Sequence, residues 1–272
     1  MKIAAVQMVS GASREANLAR AHALLAQAAD AGVELAVLPE YFCLMGHKES
    51  DKLALREAPG EGPVQDFLAR SAREFGMWIV GGTLPMQSGD ESRVFNSTLV
   101  YSPQGACAAR YDKIHLFCFD NGRERYDEAR VIAAGSTPVS FELASRDGHR
   151  WRVGLSVCYD LRFPELYRAL AHQGADLMLV PAAFTHTTGN AHWEVLLRAR
   201  AVENLAWVCA AAQGGTHENG RRTWGQSLIV DPWGTVRAQQ ASGEAVVQAD
   251  IDANHLAQCR MQLPALGHCV LK

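Results

Sequence analysis

A chain of 272 residues with a formal net charge of −3, 48% apolar and 20% charged, has the composition of an ordinary globular protein able to bury a large core. That charge argues against nucleic acid or an anionic membrane surface as a partner, and no apolar run approaches the roughly 20 residues that span a bilayer. Seven cysteines without repeated C-x-x-C pairs suggest neither a disulfide framework nor a zinc ribbon, and point to a reducing, cytoplasmic setting.

In chain order, residues 3–6 read as a buried strand whose apolar run ends at Gln7, too short for a signal-peptide core. Ser13 can cap a helix over residues 14–31, where apolar residues recur at helical spacing and Gly32 supplies the stop. Residues 35–38 are a second buried strand, ended by Pro39 and followed at once by Glu40. Residues 44–62 read as a polar loop. Pro63 opens an amphipathic helix closed by Gly76, and residues 78–80 form a third strand. Residues 96–101 and 106–111 flank Ser102-Pro103-Gln104-Gly105, a hairpin turn, and Lys113 lies just past the second of these strands. Residues 117–135 read as a long irregular loop, of a length usually reserved for function.

Residues 139–143 and 150–157 are strands joined through Asp147-Gly148, a hairpin signal. The second is a short Val- and Leu-rich run, as in a strand buried on both faces, and it stops at Cys158. Pro164 then opens a helix to about residue 172. Further strands are expected at 177–180, 207–212, 227–230, after the turn Asp231-Pro232-Trp233-Gly234, and at 246–249, with a helix over about 191–204. Without repeats, low-complexity tracts or a linker, the chain reads as one domain over residues 1–272. About ten strands of mixed direction and some four helices fit two packed sheets with helices on the outer faces.

Three chemistry-bearing residues share one topological feature: Glu40, Lys113 and Cys158 each lie just beyond a strand end, where open α/β sheets place their sites. Each alone has a plainer reading, as a solvated glutamate, a surface lysine and a small core hydrophobe. Together they make consistent chemistry. A thiol of pKa about 8.5 is mostly protonated at neutral pH and needs a base or a nearby cation. Glu40 would accept the thiol proton, and Lys113 would favour the thiolate and then hold the oxyanion formed on attack at a carbonyl. The backbone N–H of Tyr159 can supply a second oxyanion donor. Asp160, Arg162 and Glu165 follow so closely that they read as a local salt-bridge network holding the turn. His186, His192, Cys209 and His217 lack metal-ligand spacing, and no phosphate loop is present, so neither a metal nor a cofactor is expected.

Leu38-Pro39-Glu40-Tyr41-Phe42, Tyr111-Asp112-Lys113-Ile114-His115 and Cys158-Tyr159-Asp160-Leu161-Arg162-Phe163-Pro164-Glu165 resemble the three motifs of the nitrilase superfamily of carbon–nitrogen hydrolases, in the same order and over essentially the whole chain. The resemblance implies an αββα four-layer sandwich, a Glu-Lys-Cys triad, a thioester intermediate, no cofactor and assembly as a homodimer or larger. It also implies that Glu128 corresponds to a further glutamate that bonds the lysine, with an ordinary loop glutamate as the alternative. Residues 192–203, 210–217 and 230–236 resemble the Nit branch, especially its deaminated-glutathione amidases. The small-molecule substrate would then be an α-keto acid amide or a peptide-like γ-amide, with ω-amidase or nitrilase activity, or a non-catalytic binding or redox-sensing protein, as the rivals. Tyr41, Phe184 and Thr185 fall where relatives line the pocket, with core packing as the default.

Two stretches depart from the family pattern. The tail after Gly267 reads His268-Cys269-Val270 where relatives carry His-Arg-Arg. The loop at 117–126 carries Arg123 and Arg125, expected to face solvent rather than an acidic substrate.

Overall fold

A computed structural model describes residues 1–120, 122 and 125–270. In chain order its strands are β1 (Lys2–Gln7), β2 (Leu35–Val37), β3 (Trp78–Val80), β4 (Leu84–Gln87), β5 (Val94–Tyr101), β6 (Cys107–Asp112), β7 (Cys118–Asp120), β8 (Arg125–Asp127), β9 (Ile132–Ala133), β10 (Ser140–Ala144), β11 (Arg150–Leu155), β12 (Leu177–Leu179), β13 (Trp207–Ala210), β14 (Ser227–Val230), β15 (Val236–Gln240) and β16 (Ala245–Asp250). The helices are α1 (Arg14–Asp30), α2 (Asp51–Ala54), α3 (Pro63–Phe75), α4 (Pro164–His172), α5 (His186–Asn204) and α6 (Ala253–Gln262).

The first sheet runs β16-β1-β2-β3-β5-β4, with β6 and β9 also on β5; the second runs β10 to β15 in sequential order. Strands β1, β2 and β3 are parallel, as are β11, β12 and β13. Two-residue periodicity builds the layers. Ile3, Ala5, Leu35 and Val37 pack into one core with Trp151, Val153, Leu155, Leu177 and Leu179 of the second sheet. Ala4, Val6, Ala36 and Leu38, pointing the other way, pack with Leu24 and Leu25 of α1 and Phe67 and Leu68 of α3. On the far side, Tyr167 of α4 and Trp193 and Leu197 of α5 cover the second sheet. The result is the αββα sandwich that the resemblance implies.

Local signals hold where they are strong. Ser13 accepts from the Ala16 N–H and caps α1; Pro63 opens α3, and Gly76 ends it at φ 58°. Four differences have physical causes. Helix α5 starts at His186 rather than near residue 191: Thr185 caps it, and Gly189 in its first turn lies so close to Trp224 that a Cβ would stand 2.3 Å from that side chain. Tertiary packing there overrides a loop-like sequence. Strand β4 contains Pro85 and lies at the sheet edge, where a missing N–H is tolerated. Helix α6 buries only Leu256 and Cys259, too little to leave a periodic signal. The stretch 117–135 is not wholly irregular, since β7 and β8 pair antiparallel within it and a 3-10 turn covers Glu128–Arg130.

Candidate active site

The turns that follow β2, β6 and β11 meet. Glu40 stands in a turn stabilised by the Phe42 N–H donating to Pro39 O at 3.2 Å, with Tyr41 at φ 57°. Gly82 makes that turn possible, because a Cβ there would come within 2.0 Å of Pro39 O. Lys113 directly follows β6, and its N–H donates to Asn96 O at 3.0 Å. Cys158 opens a 3-10 turn (Cys158–Arg162) beyond β11. Its φ of 51° is a conformation most non-glycine residues avoid and functional turns retain. Its own N–H donates to Pro181 O at 2.9 Å, which fixes the elbow against the chain end of β12.

The three sequence-expected residues and Glu128 share one buried cluster. Lys113 is fully buried; its Nζ lies 2.9 Å from Glu40 Oε1 and 2.8 Å from Glu128 Oε2. The Cys158 side chain and the Glu40 carboxylate line the same pocket. The second Glu40 oxygen, Oε2, accepts the Ala183 N–H at 2.9 Å, so the carboxylate is held at both oxygens. Glu128 also accepts the Tyr41 hydroxyl at 2.8 Å and the Phe117 N–H at 2.8 Å.

Burial and neighbours set the protonation states. Burial pushes the Cys158 thiol well above the usual cysteine range, and the Glu40 charge adds to this while Lys113 opposes it. Burial alone would lower the Lys113 value, but the Glu128 and Glu40 carboxylates outweigh it and hold the ammonium protonated. Glu128 is lowered overall: burial raises it, and Lys113 more than offsets that. The cluster sets a buried thiol beside a carboxylate that is bonded to an ammonium. Such a set can transfer a proton from sulfur to carboxylate as the sulfur attacks.

The pocket above this floor is lined by Phe117, Tyr159, Arg162, Phe184, Thr185 and Arg221, among others. Phe184 and Thr185 therefore face it, whereas Tyr41 reaches Glu128 from behind and lines a neighbouring groove. A groove of about 680 Å³ along α5 and Trp233 holds none of these groups.

The expected salt-bridge network after Cys158 takes another form. Asp160 accepts from the Tyr111 hydroxyl at 2.7 Å, the His115 N–H at 3.0 Å and the Val157 N–H at 2.8 Å, and lies 2.7 Å from His115 Nδ1. It thus ties the elbow to the Lys113 turn without Arg162 or Glu165. Glu165 is exposed, and Arg162 stacks over Tyr159 and Phe184. Sequence reading also missed Asn96, whose Nδ2 donates to Glu40 Oε1 at 2.9 Å; an asparagine opening a strand carries no mark of a partner so far away in the chain. Arg125 is exposed, 3.8 Å from Asp120, and Arg123 lies outside the described residues. His268 ends an exposed 3-10 turn (Ala265–His268). Among the described residues no group of three His, Cys, Asp or Glu is placed to hold a metal ion, and no helix is long and apolar enough to cross a membrane.

The model of the carbon–nitrogen hydrolase family matches residues 2–261. A deaminated glutathione amidase of Synechocystis sp. is 40% identical over 98% of this chain and 97% of its own length. An omega-amidase of Homo sapiens is 36% identical over 97% of this chain and 92% of its own. Among solved structures, the C. elegans NitFhit protein superposes with a TM-score of 0.88 at 34% identity, covering 99% of this chain and 65% of that one. With the three motifs gathered at one set of strand ends and these likenesses along nearly its full length, the chain belongs to the carbon–nitrogen hydrolase family, in the Nit branch of the nitrilase superfamily.

Proposed function

We propose that the chain works as a single catalytic domain that hydrolyses a non-peptide amide through a thioester on Cys158. The observation that carries this reading is the Glu40 carboxylate, bonded to Lys113 and lining the same pocket as Cys158. Glu40 takes the thiol proton as the sulfur attacks the carbonyl carbon. The oxyanion is held by Lys113 Nζ and by the N–H of Tyr159, second in its 3-10 turn and so without an intrahelical acceptor. Collapse breaks the C–N bond, Glu40 passes its proton to the leaving amine, and a thioester remains. Glu40 then deprotonates a water that attacks the thioester; the second collapse releases the acid, and the thiolate regains its proton. Glu128 keeps the Lys113 ammonium aimed, and Phe184 and Thr185 shape the pocket. The scheme draws on no metal or cofactor.

The substrate we propose is an α-keto acid amide or peptide-like γ-amide, with deaminated glutathione first, in keeping with the likeness to deaminated glutathione amidases and, somewhat less, to omega-amidases. We further infer a homo-oligomer in the cytoplasm. The exposed Val195, Val202 and Trp233 along one face are the side chains such an assembly would cover. The test is ammonia or amine release from deaminated glutathione, α-ketoglutaramate, and one aliphatic and one aromatic nitrile. Fastest turnover of deaminated glutathione is expected. A preference for α-ketoglutaramate or a nitrile would overturn the substrate and keep the chemistry, and no turnover of any of them would favour a binding protein.

A further inference from the structure

The floor of the pocket sets two carboxylates, Glu40 and Glu128, against one ammonium, Lys113. It carries one negative charge in excess and by itself repels an anion. The wall reverses the sign, because Arg162 and Arg221 both line the same pocket. Neither has a carboxylate within ion-pairing distance among the described residues.

The two guanidiniums differ in what already occupies them. Arg162 is stacked between Tyr159 and Phe184, with Nη1 3.2 Å from His192 Nδ1. Arg221 lies over the Tyr126 ring at 5.2 Å, and Nη2, donating to Ala183 O at 3.2 Å, is its one guanidinium nitrogen with an acceptor among the described residues. Its Nε is buried with no hydrogen-bond partner. A buried donor left unmatched is costly, so a guanidinium kept in that state in a pocket wall points to a missing acceptor. Ala183 fixes its place: the same residue that accepts from Arg221 donates its N–H to Glu40 Oε2, so Arg221 stands beside the catalytic base. Arg221 also borders a neighbouring groove lined by Lys48 and by Lys52, the latter paired with Glu49.

We propose that Arg221 selects amides whose acyl part carries a second carboxylate, and grips that carboxylate while Cys158 attacks the amide carbon. This rests on the amide-hydrolase reading above. The planar fork of arginine matches a carboxylate with two parallel N–H donors, and the excess of cations on the wall offsets the repulsion from the floor.

The test compares glutaramate with butyramide, an uncharged amide of nearly the same acyl chain, and follows glutarate binding by calorimetry. Wild type is expected to prefer glutaramate. In Arg221→Met the ratio of kcat/KM for glutaramate to that for butyramide should fall by about 10–100-fold, mostly through KM, as for a lost charged hydrogen bond. Glutarate affinity should fall in parallel, and Arg221→Lys, which keeps the charge without the fork, should restore part of both. An unchanged ratio in Arg221→Met, or no preference in wild type, overturns the proposal. Should the methionine variant not fold, the lysine variant carries the same comparison: an intact ratio and intact glutarate binding count against the proposal. If wild type hydrolyses neither these amides nor deaminated glutathione or α-ketoglutaramate while glutarate binding still depends on Arg221, the hydrolase reading fails and the role of Arg221 stands.

Discussion

Cys158 and Cys209 are both buried thiols, and burial pushes both above the ordinary cysteine range. Cys209 sits within β13, paired with Leu179 and Ile229, and burial is the sole influence on it. Cys158 sits past the end of β11 in a left-handed turn, with Glu40 and Lys113 acting on it in opposite directions. Cys43, pushed up to about 12 mainly by burial, falls on the side of Cys209. A raised thiol value therefore does not mark a nucleophile in this molecule. What separates the two regions is a carboxylate and an ammonium placed where the backbone turns.

The largest effects test that contrast directly. Cys158→Ala should abolish amide hydrolysis, by about 10⁴-fold or more as when a nucleophile is removed, with little change in thermal stability. Cys209→Ala should do the reverse: turnover stays within the normal range while stability falls by about 1 kcal/mol for the small void left in a packed core. Amide turnover and thermal denaturation on the same preparations read both quantities. Loss of activity in Cys209→Ala with the fold intact would erase the distinction.

A second substitution sharpens it. Glu40→Gln removes the base and should lower kcat by about 10²–10⁴-fold. Yet the Glu40 charge also pushes the Cys158 thiol up, so losing it should bring the thiol down and speed alkylation by iodoacetamide near neutral pH. The sign is set by the direction of the shift. With the folded value above the ordinary one, wild-type alkylation should keep climbing past about pH 8.5, where an unperturbed cysteine levels off. The Glu40→Gln profile should move to lower pH. A wild-type plateau below that point would mean that Lys113 holds a thiolate in the resting enzyme, and slower alkylation in Glu40→Gln would mean that Glu40 deprotonates the thiol for any electrophile.

Much of this region was legible in the sequence because its signals are local. Glu40 follows Pro39, Lys113 follows a hairpin strand and Cys158 precedes Pro164, so each strand end could be read without its partners. The alternation in Ile3-Ala4-Ala5-Val6, which divides the two cores, is likewise written in one strand. Arg221, Asn96 and Tyr111 were not legible, because their roles depend on atoms brought near only by the fold: Ala183 and Tyr126 for the first, Glu40 for the second, Asp160 for the third. The start of α5 was hidden for a related reason. Thr185 through Asn190 reads as a loop, and it is Trp224, far along the chain, that holds Gly189 in the helix.

The smallest expected effect concerns the tie between the Cys158 turn and the Lys113 turn. Asp160 joins the elbow, through the Val157 N–H, to the Lys113 turn, through His115 and Tyr111. Tyr111→Phe removes one donor and leaves the others, so stability should fall by about 1–2 kcal/mol. If the tie sets how Cys158 faces Lys113, kcat should also fall several-fold while KM stays put, since Tyr111 lies beneath the floor in the shared core and not among the pocket-lining residues. A drop in stability with kcat intact would reduce Asp160 to a clamp on the fold. A rise in KM instead would mean that the turn shapes the pocket rather than the attack.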